Sequence, residues 1–296
     1  MPDCLPPSQE SYKPLEPSIT LLLSNNSLTN LPGELYKLRN VKHLSVRQNC
    51  LTEIMPSIAN LENTEELNVG GNLLPWLPWE ILQLTQNNLK VACLHPNPFI
   101  EPVPGNPSSI NPAKQRSRWA TGPPRTIATT GIAYLDITGT PVRGSPPAPS
   151  SLADYCPSTV ATDGEPFGKP WNQPGNHIPS LLEVALRGCS ESSMLEQLPL
   201  YLTEDSPQSL SHMLQHAWKV KSAGGKLCSV CGKSYIIPRT EWIEWRSSLS
   251  QYCRDPVPLI RKGCSWACTV KFDGVPASWR NCGWKSAIQS DKASME

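Results

Sequence analysis

Charge is scarce in this sequence. Only 17% of the 296 residues are Asp, Glu, Lys or Arg, and 26 basic residues so nearly balance 25 acidic ones that the formal net charge is +1. A chain this close to neutral has no global field to draw it onto nucleic acid or anionic lipid, so any such binding needs a local patch. Long apolar runs are missing too: nothing approaches the ~18 residues that read as a membrane span. The opening Met1-Pro-Asp-Cys-Leu-Pro-Pro has no basic stretch followed by an apolar core, so it does not read as a secretory signal. Also absent are a phosphate-cradling G-x-x-x-x-G-K, a G-x-S-x-G, an H-E-x-x-H and a paired-carboxylate cluster, so an enzyme is not expected. The 11 cysteines are an odd number. Without an export signal they read as reduced thiols of a cytoplasmic or nuclear protein, metal ligands excepted.

What is present is periodic at the start and proline-rich in the middle. Three segments align at an offset of 23: Leu21, Leu23, Asn26 and Leu28; Leu44, Val46, Asn49 and Leu51; Leu67, Val69, Asn72 and Leu74. Apolar positions continue behind each asparagine, at Leu31, Leu35 and Leu38, then Ile54, Ile58 and Leu61, then Leu77, Ile81 and Leu84. Period-two alternation makes the leading part of each copy a short strand with its leucines inward. The following asparagine then suits a turn that would leave backbone groups buried and unpaired. Asn26, Asn49 and Asn72 should therefore stack as a ladder. A degenerate fourth copy, Leu89, Ala92, Leu94 and Asn97, ends at Pro98-Phe99. One such unit cannot bury its own apolar face and must stack on neighbours.

This pattern resembles the leucine-rich repeat, and the L-P-x-x-L-x-x-L returns are similar to the intracellular, Ras-suppressor-like class. The resemblance covers residues 18–99 and implies an α/β solenoid of parallel strands with short helical or irregular returns. Its copies are 18–40, 41–63, 64–86 and 87–99 in a unit of 18–102, behind an unstructured 1–17. The resemblance further implies protein binding on the concave face, where Leu22, Ser24, Asn25, His43, Ser45, Arg47, Gln48, Glu66 and Asn68 project between the core positions. Copy one, with no cap before Ser18, is expected to need cover over its open end.

Between Pro96 and Pro179 fall seventeen of the 32 prolines, interleaved with Gly, Ser, Thr and Asn. Such composition cannot bury enough surface to offset its ordering entropy, so 103–177 is expected to be a disordered linker, with one short apolar run, Thr126 to Ile137, that flickers as a strand. The small basic cluster of Lys114, Arg116, Arg118 and Trp119 within it reads as solvated linker.

Beyond it, Ser180 and Glu183 make a capping box, and Leu210, Met213, Leu214, Ala217 and Val220 share a helix face behind Pro207, ended by Gly224-Gly225. Then come Cys228-Ser-Val-Cys231-Gly and Cys264-Ser-Trp-Ala-Cys268. Two such turns offer four thiolates, the ligand set of a closed, structural zinc site. Inert buried thiols and a redox C-x-x-C are the competing readings. Cys253 and Cys282 are spare candidates, while His212 and His216 read as exposed helix residues. The module is thus expected to span 178–268, helical and cysteine-rich, with 269–296 a tail. Joined to a short repeat arc, C-S-V-C-G and G-C-S-W-x-C resemble fungal repeat proteins with a C-terminal cysteine-rich module. The expected function is a non-enzymatic adaptor with a protein partner and no small-molecule substrate. The alternative is nucleic-acid binding, by Arg239, Arg246, Arg254, Arg261, Lys262, Lys271 and Arg280 set among tryptophans that could stack bases.

Overall fold

The computed structural model describes residues 17–103, 124–150, 179–203, 205–249, 256–271, 280 and 283–285. It is mixed α/β. Strands β1 (Ile19–Leu22), β2 (Val41–Ser45), β3 (Glu66–Asn68) and β5 (Val91–Cys93) form one parallel sheet in that order. Leu21 aligns with Leu44, Leu44 with Leu67, and Leu67 with Ala92, so one leucine position per copy stacks across the sheet. Short 3-10 turns at Leu35–Lys37 and Pro56–Asn60 and the helix α1 (Ile81–Gln86) make the returns. Val41, Val46, Leu51, Leu61, Val69, Leu74 and Ile81 between sheet and returns are fully buried.

The asparagine ladder forms, with a rule of its own. Each asparagine serves the copy before it. Asn49 Nδ2 donates to Leu23 O and Val46 O while its Oδ1 accepts from Leu28 N. Asn72 repeats this with Val46 O, Val69 O and Leu51 N, and Asn97 with Val69 O, Leu94 O and Leu74 N. Asn26, with no described copy before it, stays exposed and bonds only to Leu23 O and Ser24 O. A second ladder lies at the strand entrances, where Asn40, Asn63 and Asn88 donate to Pro17 O, Arg39 O and Glu62 O. Asn40 and Asn63 are also 23 apart in sequence.

The return side is covered in part by the second half of the chain. Strand β4 (Leu77–Pro78), in copy three, pairs in parallel with β10 (Val257–Gly263). Beyond β10 lie β9 (Thr240–Arg246), antiparallel to it, and then β7 (Thr126–Thr129), with β8 (Ala133–Tyr134) also on β9. Leu249, Val257 and Leu259 join the core of the repeats. Trp79 N donates to Ile260 O, and Trp245 Nε1 to Ile100 O. Helices α2 (Leu181–Glu191) and α3 (Gln208–Ser222) pack on each other, with Leu186, Leu195, Leu214, Ala217 and Val220 between them and their surroundings. The end of α3 seats on the first return, where Gly33 N donates to Ser222 O. A Cβ on Gly33 would lie 2.5 Å from Ser222 O, so only glycine allows this approach.

Three expectations are thereby corrected. Residues 124–150, placed in the disordered linker 103–177 by composition, supply β7 and β8, because β9 offers backbone partners that composition does not show. Residues 104–123, with the Lys114 to Trp119 cluster, and 151–178 lie outside the described residues. The tail contributes β11 (Gly283–Lys285), antiparallel to β6 (Glu101–Val103). The C-terminal module is more sheet than expected, and it is no separate domain tethered to the repeats: both share one sheet and one core.

Replacing Asn72 by alanine leaves Leu51 N buried without an acceptor, and should cost about 2–4 kcal/mol of stability. Asn26→Ala, at an exposed rung, should cost less than about 1 kcal/mol. Parallel urea unfolding of the two variants checks the difference.

Candidate metal centre and exposed strand face

The first cysteine turn follows α3. Leu227 and Ser234 form an isolated antiparallel bridge around it, Cys228 N donates to Lys233 O, and Gly232 N to Cys228 O. Gly232 takes φ +72°, a left-handed position suited to glycine. Cys231 N then points at Cys228 Sγ at 3.5 Å, and Cys264 N at the same sulfur at 3.4 Å. The second turn begins where β10 ends. Gly263 is obligatory there: a Cβ would stand 2.1 Å from Thr240 Oγ1 and 2.6 Å from Cys268 O. Thr240 Oγ1 donates to that same carbonyl, which fixes the second turn to β9.

The four sulfurs converge to within 4.8 Å of one another. Cys231–Cys264 are 3.5 Å apart, Cys264–Cys268 3.6 Å and Cys231–Cys268 3.8 Å. Tetrahedral zinc with Zn–S bonds of about 2.3 Å requires sulfur edges of about 3.8 Å, whereas a disulfide requires about 2.05 Å. No disulfide joins any two of the four cysteines, and only Cys231 is exposed. The group is compatible with a zinc site. Its electrostatics point the same way. Thiol hydrogen bonds with Cys264 and Cys268 lower the Cys228 pKa, and those with Cys228 and Cys268 raise that of Cys264. One thiolate forms readily and the next is opposed, an arrangement that a divalent cation relieves. His212 and His216 are elsewhere: His212 is exposed, and His216 is partly buried with Nε2 3.2 Å from Ile236 O. Cys253 and Cys282 lie outside the described residues.

The first turn is bolted to β10, and through β10 to the repeats. Ser229 N donates to Lys262 O, Lys262 N to Ser229 Oγ, and Arg261 Nη2 to Ser229 O. Arg261, 8% exposed, lies over Trp79 at 4.0 Å and Trp242 at 5.2 Å and pairs with buried Glu244 at 3.0 Å. Lys262 reaches Glu53 of copy two at 3.8 Å and Glu241 at 3.4 Å. Burial alone would lower the Lys262 pKa, but Glu241 and Glu53 outweigh it and raise it; burial likewise works against ionised Glu53, whose pKa Lys262 and Lys226 nevertheless lower. Sequence reading missed this network. Its signal was the interleaving of Trp and charged residues in Thr240–Arg246, read as basic residues among base-stacking tryptophans rather than as a buried strand. The same network turns the basic, tryptophan-rich segment inward: Trp242 and Trp245 are fully buried. Arg254 is outside the described residues.

The opposite face of the parallel sheet carries the expected binding strip. Thr20, His43, Glu66 and Val91 lie in one register row, and Leu22, Ser45, Asn68 and Cys93 in the next. Leu22 is 71% exposed. Arg47, Gln48 and Glu66 are exposed, while Ser24, His43, Ser45 and Asn68 are half-buried. Ser24 and Ser45 hydroxyls meet at 2.7 Å, and His43 Nδ1 lies 3.1 Å from Glu66 Oε2. Asn25 and Gln48 are not strand residues: with Gly71 they hold left-handed turns 23 apart, φ 59°, 55° and 70°.

No family model matches this chain, and no curated protein matches it. Among solved structures it is similar to a leucine-rich-repeat protein of Leptospira interrogans, at 34% identity over 27% of this chain, with a TM-score of 0.26. The match spans 20% of that protein's length.

Because the cysteine turns are held to the sheet that covers the repeats, chelation should lower the melting temperature of the whole chain, not of residues 228–268 alone. Elemental analysis should find about one zinc per chain, and Cys264→Ser should reduce this well below half. Far-ultraviolet melting with and without a chelator checks the coupling.

Proposed function

We propose that this chain is a non-enzymatic, leucine-rich-repeat interaction module. A protein partner docks on the exposed strand face, and zinc held by Cys228, Cys231, Cys264 and Cys268 braces the C-terminal half over the return side. One observation carries the reading. Register aligns polar and apolar side chains in rows on a sheet face that no described element covers, while on the opposite side of the same coils β4 of copy three pairs with β10. A face preorganised by paired strands binds without first paying to order itself. Leu22 is an apolar anchor, and Arg47 and Glu66 offer charges of both signs. A tetrathiolate has no open position for water, which supports a structural rather than a catalytic metal. That the seven described cysteines are thiols rather than disulfides supports a reducing compartment, cytoplasm or nucleus. Nucleic-acid binding is the less supported reading, since Trp242, Trp245 and Arg261 are buried in the protein's own core.

Leu22→Asp and Arg47→Glu should each weaken capture of the partner by about tenfold or more, with stability changed by less than about 0.5 kcal/mol. Quantitative affinity capture against the unmodified chain, with melting curves alongside, is the check. Partners retained equally by both variants would move binding off this face.

A further inference from the structure

The four cysteines of the candidate metal centre differ in how solvent reaches them. Cys228, Cys264 and Cys268 are buried, whereas Cys231 is exposed. It lies in a run of five exposed residues, 230–234. A Cβ placed on the adjoining Gly232 would have nothing within 4 Å. A small oxidant arriving from solvent therefore meets Cys231 first. A second thiol is at hand, since Cys264 Sγ stands 3.5 Å from Cys231 Sγ. Cys228 is held differently: its sulfur faces the main-chain N–H groups of Cys231 and Cys264. An accessible cysteine poised beside a resolving one is the arrangement of a redox-sensing pair. In a reducing compartment, the disulfides that do form are mostly transient ones of this kind.

We propose that Cys231 is a site of oxidation by hydroperoxides, and that Cys264 resolves it as a disulfide and so releases the metal. The Cys231 thiolate attacks one oxygen of hydrogen peroxide. An S–O bond forms as the O–O bond breaks, and the departing hydroxide takes a proton from solvent to become water. The Cys264 thiolate then attacks the sulfur of the Cys231 sulfenic acid. The S–S bond forms, the S–O bond breaks, and a second hydroxide leaves and is protonated. Two sulfurs lose two electrons in all, and one peroxide is reduced to two waters. Closing the pair from 3.5 Å to about 2.05 Å withdraws both sulfurs from the metal. Cys228 and Cys268 alone do not complete a tetrahedral set. Because Ser229 of the first turn is bonded to Lys262 of β10, the oxidation state of this pair bears on how firmly β10 is held to the repeats. The release of metal rests on the zinc reading above; the pairing of the two sulfurs does not.

The test uses the full chain, assayed for zinc before treatment. Hydrogen peroxide is added in the presence of a weak chromogenic zinc indicator, and disulfides are mapped by mass spectrometry after alkylation of the remaining thiols. About one zinc should be released for each Cys231–Cys264 disulfide formed, and dithiothreitol with added zinc should restore the starting state. Cys50 and Cys93, which are exposed as well, report unselective attack and should be oxidised at least about tenfold more slowly. Cys231→His keeps a four-ligand zinc set without the exposed thiol, and should retain zinc at a peroxide concentration that empties the native chain. If that variant does not bind zinc, the disulfide map of the native chain decides. Three results would overturn the proposal: oxidation of Cys50 and Cys93 ahead of Cys231, a disulfide between a different pair, or zinc loss from Cys231→His as fast as from the native chain. A chain without zinc at the outset would refute the zinc reading and the release, while the disulfide map would still judge the Cys231–Cys264 pairing.

Discussion

The structure depends on the junction where β10 lies beside Leu77–Pro78. A coil of the first hundred residues has an outward sheet face and a return side. The return side carries Trp76 and Trp79, whose broad apolar rings water would not suit. Main-chain pairing with β10 extends the second sheet onto the repeats, and Val257 and Leu259 fill their core from outside. Burying Arg261 and Lys262 there is unfavourable in itself, and each is compensated individually. Arg261 has two indole faces and a carboxylate; Lys262 has two carboxylates, from Glu53 in the repeats and Glu241 in β9. Removing one partner would leave a charge uncompensated in the interior, which destabilises more than the intact pair stabilises. The two halves therefore stand or fall together.

The cysteine cluster sits one residue from this junction. Ser229, between Cys228 and Cys231, holds Lys262 by two main-chain and side-chain bonds, and Gly263 passes β10 directly into Cys264. Whatever closes the four sulfurs also sets where β10 ends and where Arg261 and Lys262 point. A metal here would do more than staple a small domain: it would hold the cover on the repeats.

Much of the first hundred residues was legible because their information is local and repeated. Leucines at an offset of 23 predict stacked strands, and the asparagines predict backbone capping, which Asn49, Asn72 and Asn97 perform. The entrance ladder of Asn40, Asn63 and Asn88 carried the same signal but was obscured by the two-residue insertion in copy four. The paired turns Cys228–Cys231 and Cys264–Cys268 were readable from spacing, since two short turns need only be brought near each other. Residues 126–134 were legible only as a short apolar run that flickers as a strand. Thr126–Thr129 holds no periodicity that demands a strand, and becomes one only because Glu244 and Trp245 present an unpaired edge. Ser180 and Glu183 form half of the predicted box: Ser180 Oγ accepts from Glu183 N, but the Glu183 carboxylate turns to Ile236 N and Ile237 N, partners about fifty residues away.

The amino-acid order thus specified the repeating coils, their turns and the two cysteine loops, because each is decided by contacts within a few residues or one period. Which surface of those coils is covered, which charges are buried, and that the proline-rich middle and C-terminal segments return as strands were settled only in three dimensions. Pairing across more than a hundred residues leaves no mark on either partner's local pattern. It is favoured only once both edges exist.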